Sequence, residues 1–372
     1  MSDIQKVAVS LVLVSEQCSA ANAALANSFP PHPSQPLASL RRDLISLLSL
    51  VYSHTTKLSI ALNPATPTYK AALSPLKDLA THTSTLASNA ASFDPIVHGR
   101  SLTDEVHHLV KSVFDAIQKL AQAHLSLMKE GAAKGKIGAA GEEYLVKTAA
   151  VHDLIDRARS EGPSGLSKDN VHAVRKLWKS RGEPIADAIA ELDDVIESAD
   201  GDEDDEESDA SDGLSDADLD FGSYKTSPEQ RKLAEMLKAL IQNTYTLHKQ
   251  VGAIFLASPP LPTLPSPPSN TALDALLDSA SELAIASDEL VSRIYSDADD
   301  TTYLQEARDE FGDALNTMGR VVDSFWTEPP EQKDEEVEPK KGSRRWFEGR
   351  FATLYAETKV IEWPKMDRAN GT

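Results

Sequence analysis

The chain has 372 residues and a mass of 40.2 kDa, enough for two domains or one long helical one. Apolar residues make up 41%, so a core can be buried, while 58 acidic against 37 basic residues leave a net charge of −21 that disfavours nucleic acid and anionic lipid as general partners. The single cysteine, Cys18, excludes an intramolecular disulfide and a cysteine-rich zinc site.

The apolar pattern is helical almost throughout. Ile4, Val7, Leu11, Val14, Cys18, Ala21 and Leu25 step by three and four, and Leu37, Leu40, Leu44, Leu47, Val51, Leu58 and Leu62 form a second stripe. Leu102, Val106, Leu109, Val113, Ile117, Leu120 and Leu127 form another. A 3.6-residue period places each set on one helix face that must be buried. The breaks agree with this reading: Phe29-Pro30-Pro31-His32-Pro33, Asn63-Pro64 and Asp94-Pro95 each end a helix. Ser101, with Asp104 three residues on, is expected to cap the next helix, and Ser227-Pro228-Glu229-Gln230 has the form of a capping box with proline at the first helical position. Period-two strand signals are absent. The expected fold is all-α, with long antiparallel helices in up-and-down bundles. Asp3 and the lack of a basic lead-in argue against a signal peptide at the short run Val7 to Val14, and no unbroken apolar run approaches the ~20 residues that span a bilayer.

Charge and proline divide the chain. Residues 199–223 hold 12 acidic residues and no Lys or Arg, supplying −12 of the net charge, so a disordered linker is expected there. The expected organisation is an N-terminal helical bundle over 1–198, an acidic linker over 199–225 and a C-terminal bundle over 226–325. A charged linker over 326–342 and an aromatic and basic tail helix over 343–372 complete it. Residues 258–268, with six prolines in eleven, suit an extended spacer better than an SH3 ligand, since no basic residue flanks them.

Each candidate for chemistry has a simpler reading beside it. Glu105-x-x-His108, Asp104-x-x-His107 and Asp169-x-x-His172 could each pair a carboxylate with an imidazole, but a di-iron bundle needs more ligands than these supply, so a charged helix face is preferred. His124 on its apolar stripe reads as a core or boundary histidine. The Gly-rich run from Gly131 to Gly141, with Lys134 and Lys136, fits no phosphate-loop spacing and reads as a helix–helix connection. No Gly-x-Ser-x-Gly occurs, and Cys18 sits on a buried stripe, so no catalytic residue, metal or cofactor is expected.

Leu233, Leu240, Leu247 and Ile254 recur every seven residues, with Leu237, Thr244 and Val251 between them. The row is either a seam for a partner helix or the core of its own bundle, and the shared packing geometry favours the second. Ser208, Ser211 and Ser215 lie in the acidic run, where Ser215-Asp-Ala-Asp218 matches an acidophilic-kinase pattern; phosphorylation and an unmodified linker are evenly matched. In the tail, Lys340-Lys341-Gly-Ser-Arg344-Arg345 precedes Trp346, Phe347, Phe351, Leu354 and Ile361. Nuclear import, a membrane-surface helix and docking on the bundle compete there, and docking is preferred.

Three stretches carry a resemblance. Leu166-Ser-Lys168-Asp169-Asn170-x-x-Ala173 with Asp187-Ala188-x-x-Glu191-Leu192 is the first. The acidic run followed by Asp220-Phe221-Gly222 and a long apolar helix is the second, and Leu283-Ala-Ile-Ala-Ser287-Asp288-Glu289-Leu290 through Ile294-Tyr295 is the third. By order and spacing over about residues 100–325, the chain resembles the cyclin-D-binding family, GCIP-like regulators of helix-loop-helix and leucine-zipper type. The resemblance implies a non-enzymatic, all-helical cell-cycle regulator, cytoplasmic and nuclear, that binds D-type cyclins or helix-loop-helix factors and lacks a DNA-contacting basic region. The rival expectation is a vinculin- or catenin-like bundle adaptor, which shares long helices and a proline-rich linker.

Overall fold

The computed structural model describes residues 1–26, 35–131, 140–198, 227–257, 267–295, 301–326 and 339–362. The expected linker over 199–225 falls wholly outside these residues, as does most of the Gly-rich run and most of the proline stretch. Among the described residues there are eleven α-helices and no strand, as the all-α expectation requires.

The chain divides into two compact units, Met1–Ala173 and Val174–Thr372. The first holds α1 (Asp3–Ala26), α2 (Leu37–Ala61), α3 (Tyr69–Ala91), the single turn α4 (Pro95–His98), α5 (Arg100–Gly131) and α6 (Ala140–Arg159). The long helices touch in the order α1, α3, α2, α6, α5 and back to α1, which closes a five-helix ring, and α3 also touches α5 across it. Paired contacts fix the directions. Asn22 meets Asp115 while Ser19 meets Gln118, so α1 and α5 are antiparallel. Thr55 meets His152 while Ser59 meets Thr148, so α2 and α6 are antiparallel too. Inside the ring α1 places its expected row, Val7, Leu11, Val14 and Cys18; α2 places Leu44, Leu48 and Val51 there, with the expected Leu47 half-buried, and α5 places Val106, Val110 and Val113, with the expected Leu109 half-buried.

By length and composition α1 is apolar enough to cross a membrane, with a mean hydropathy of 1.3, which the search for unbroken apolar runs passed over. Its inward row is the wall of this core, and its outward face carries Val9, Val12 and Leu13. A core helix satisfies the same length and composition test.

Ser101 does not cap α5. It lies buried inside the helix, and the chain breaks one step earlier, at Gly99, whose φ of +94° turns it from α4 into α5. The amide of Leu102 is then satisfied from a distance, by the Asn170 side-chain oxygen at 3.0 Å. Capping of α4 does follow the sequence, with Asp94 accepting from the Ile96 amide and Pro95 at the first position.

The second unit contains most of α7 (Asn170–Ser198), then α8 (Pro228–Phe255), α9 (Asn270–Ser292), a 3₁₀ turn (Arg293–Tyr295), α10 (Thr301–Asp323) and α11 (Arg344–Lys359). The division falls between Ala173 and Val174, near the start of α7. Trp178 against His248 and Asp193 against Lys238 run α7 antiparallel to α8. Ser227 and Gln230 form the reciprocal capping box at the start of α8, at 3.1 and 2.8 Å. Helix α11 packs on α10 and α8 and belongs to this unit.

Candidate functional site

The heptad row of α8 is inside its own unit. Leu233, Leu240 and Leu247 are buried, as are Leu237, Thr244 and Val251 between them, and only Ile254 at the C-terminal end is partly exposed. The row thus faces the chain's own helices and offers no exposed zipper seam in the single chain. Its end meets the turn before α11, where Gly342 adopts φ +84° against the Ile254 side chain. Ser208, Ser211 and Ser215 lie outside the described residues.

His107, Glu105, Asp169 and His172, members of the carboxylate–histidine pairs, make structural hydrogen bonds. His107 Nε2 lies 3.1 Å from the Ala90 carbonyl oxygen, to which it donates, and Glu105 accepts from the Ser167 amide. Asp169 accepts from both the amide and Nδ1 of His172. Among the described residues no three His, Cys, Asp or Glu side chains converge as a metal site. Cys18 is buried, and burial pushes its thiol up to about 12, which removes thiolate reactivity.

Two buried histidines are held well below the ordinary imidazole value. His124, beside the Tyr144 ring, is held down at about 4 by desolvation. His248 is held at about 4 by desolvation, with Lys249 adding to it. His248 stacks on Trp178, and neither His248 Nε2 nor Trp178 Nε1 has a hydrogen-bond partner. Both imidazoles are neutral at pH 7, which suits packing.

Helices α5 and α6 are joined to the bundle differently. Between α2 and α6 runs a polar seam: Thr55 and Thr56 accept from His152 Nε2 at 3.3 and 3.1 Å, and Ser59 and Thr148 share a 2.6 Å contact. Thr55, Thr56 and Thr148 each give their own hydrogen to a backbone carbonyl, so His152 is the donor to the first two and Ser59 the donor to Thr148. The opposite side of α6 forms a cleft of about 470 Å³ with α5, floored by Ala116, Val146, Ala150 and Leu154 and edged by Asp115, Lys119, Asp153 and Arg157. Leu145 and Val146 are more than half exposed. The sequence reading passed over this surface, although a signal exists: Tyr144, Thr148, Val151 and Ile155 complete the inward row and leave Leu145 and Val146 off it. Such a surface can hold a helix by apolar contact with charged edges; it places no nucleophile, base and electrophile together.

Residues 43–198 match the family model described as "Grap2 and cyclin-D-interacting, N-terminal". No curated protein matches the chain. The matched span runs from α2 through α7 and includes the α5–α6 cleft and the Leu166 to Ala173 stretch. On this match the span 43–198 is similar to the GCIP-like family, in agreement with the resemblance carried by the Leu166 to Ala173 stretch.

Proposed function

We propose that the protein is a non-enzymatic regulator that acts by binding a D-type cyclin, and so restrains cell-cycle progression. The family match over residues 43–198 carries this reading, because that family is described as cyclin-D-interacting. The geometry is compatible with it. The matched span presents an apolar cleft with both charge signs on its edges, while His107 and Glu105 are engaged in structural hydrogen bonds. Helix-loop-helix factors are the further partner class that the family resemblance suggests, and passage between cytoplasm and nucleus goes with such partners.

The test is direct binding with purified components. The full chain should retain a D-type cyclin, and Val146→Asp with Leu145→Asp should weaken that binding while leaving the helical circular dichroism unchanged. Absence of binding by the unaltered chain, or turnover of a substrate by the purified protein, would overturn the reading.

A further inference from the structure

Helix α11 rests on α10 in a way that α10 alone does not explain. Gly312 and Gly319 stand seven residues apart on the face of α10 that meets α11. A Cβ at the first would come 3.2 Å from the Tyr355 ring, and at the second 3.3 Å from Phe351. Two glycines weaken a helix interior, and here they open a shallow groove that admits bulky side chains. Phe255 at the end of α8 closes the groove, its ring 4.6 Å from Phe325 and 5.4 Å from Phe347.

The occupant has the pattern of a helix ligand. Phe347, Phe351, Leu354 and Thr358 step by four, three and four and are all buried. Its two ends carry cations matched to carboxylates on α10. Arg344 donates to both oxygens of Asp323 at 2.6 and 2.8 Å, and Lys359 donates to Asp309 at 3.1 Å. These partly exposed pairs set direction and register more than they hold the helix down.

Helix α11 is also the least committed element of its unit. It buries four residues, against ten for α8 and twelve for α9, so local opening reaches it before them. A cleft of about 410 Å³ remains between α10 and α11, lined by Asn316, Arg320, Trp326 and Glu348 among others, so the groove is incompletely filled. The twelve residues 327–338 before it include six acids and two prolines.

We propose that α11 is a displaceable intramolecular ligand: it occupies a helix-accepting groove on α10 and the end of α8, and a partner helix with the same anchors competes for that groove. The competitor carries large apolar side chains at i, i+4 and i+7, with a basic residue three positions before the first. Occupation in cis keeps the groove closed until such a helix arrives. This holds whether or not the partner is a cyclin, and its test is independent of cyclin binding.

The probe is a labelled peptide of residues 339–362 added in trans to the full chain. The unaltered chain should bind it weakly, because its own α11 fills the groove. The double variant Phe347→Asp, Phe351→Asp changes only the plug and should bind the peptide about tenfold tighter or more. Adding Asp323→Lys to that variant should reduce the gain, and Arg344→Glu in the peptide should restore it. Hydrogen exchange in the plug variant should retain protection in α8 and α9. Loss of that protection would show α11 to be an integral wall, and a protected variant that fails to bind the peptide would show that no groove exists; either result overturns the proposal.

Discussion

Trp178 lies flat on His248, with ring centroids 4.2 Å apart and planes 6° from parallel. The stack buries the imidazole, and Gly182 and Gly252 approach it closely enough that neither could carry a side chain without movement. Burial holds His248 neutral, near 4, and the same cause acts on His124 in the other unit. In the unfolded chain both titrate near 6.5, so the unfolded state binds more protons between those values and stability rises with pH there. The contribution is fully present above pH 6.5 and is lost as pH falls toward 4. Between pH 7.5 and pH 5 each histidine should cost about 2 kcal/mol. Urea unfolding at the two pH values checks this, and His248→Phe should remove part of the difference.

Alanine at glycine should act with opposite signs at two helical sites. A Cβ on Gly252 would fall 2.7 Å from Trp178 Cδ1 and closer still to Nε1, on a ring held by the His248 stack. The gain in helix propensity, about 1 kcal/mol, is then outweighed, and Gly252→Ala should destabilise by about 1–3 kcal/mol. Gly349 on α11 has nothing within 4 Å of the added atom, so Gly349→Ala should stabilise by about 0.5–1 kcal/mol. Chemical denaturation of both variants measures the contrast.

On α8, position along the heptad row decides the cost. Leu240 is buried in the middle of the unit, so Leu240→Ala should lose about 2–5 kcal/mol. Ile254 is partly exposed, and Ile254→Ala should lose less than half as much. Equal costs, or a folded Leu240→Ala protein that has only lost self-association, would mean that the row serves as a seam after all.

Periodicity and capping chemistry made most of the fold legible. The stripe from Val7 to Leu25 and the Ser227–Gln230 box stand where the residues put them, and the helix break read at Asp94-Pro95 falls between α3 and α4. What the stripes could not show is which helix covers which. Val174, Ile185 and Leu192 mark a buried face of α7, yet the pattern cannot reveal that this face belongs to the unit of α8 and not to that of α2. Ser101 misled for a similar reason. A serine three residues before an acid looks like a cap, but the left-handed turn at Gly99 and an acceptor seventy residues away govern that terminus. The docking of α11 depends on Gly312 and Gly319, which in sequence look like helix weaknesses.

The stretch that first carried the family resemblance has a structural task. Leu166 and Ser167 give their carbonyls to the Arg41 guanidinium at 3.1 and 3.2 Å, and the Ser167 amide donates to Glu105. Asn170 is buried and reaches the start of α5, where its oxygen accepts from the Leu102 amide beside Gly99. One side chain thus satisfies a helix terminus that has no local cap, and only glycine at 99 leaves room for it. Asn170→Ala leaves the Leu102 amide buried and unsatisfied and should cost about 1–3 kcal/mol. Asn170→Asp keeps the acceptor and adds a negative charge at a helix N-terminus, so it should recover much of that loss at neutral pH. Its rescue should fade below about pH 4, as the carboxylate protonates. Thermal melts of the two variants at pH 7 test the first step, and the aspartate variant followed to low pH tests the second. An alanine variant as stable as the parent would remove Asn170 from its place as the cap of α5.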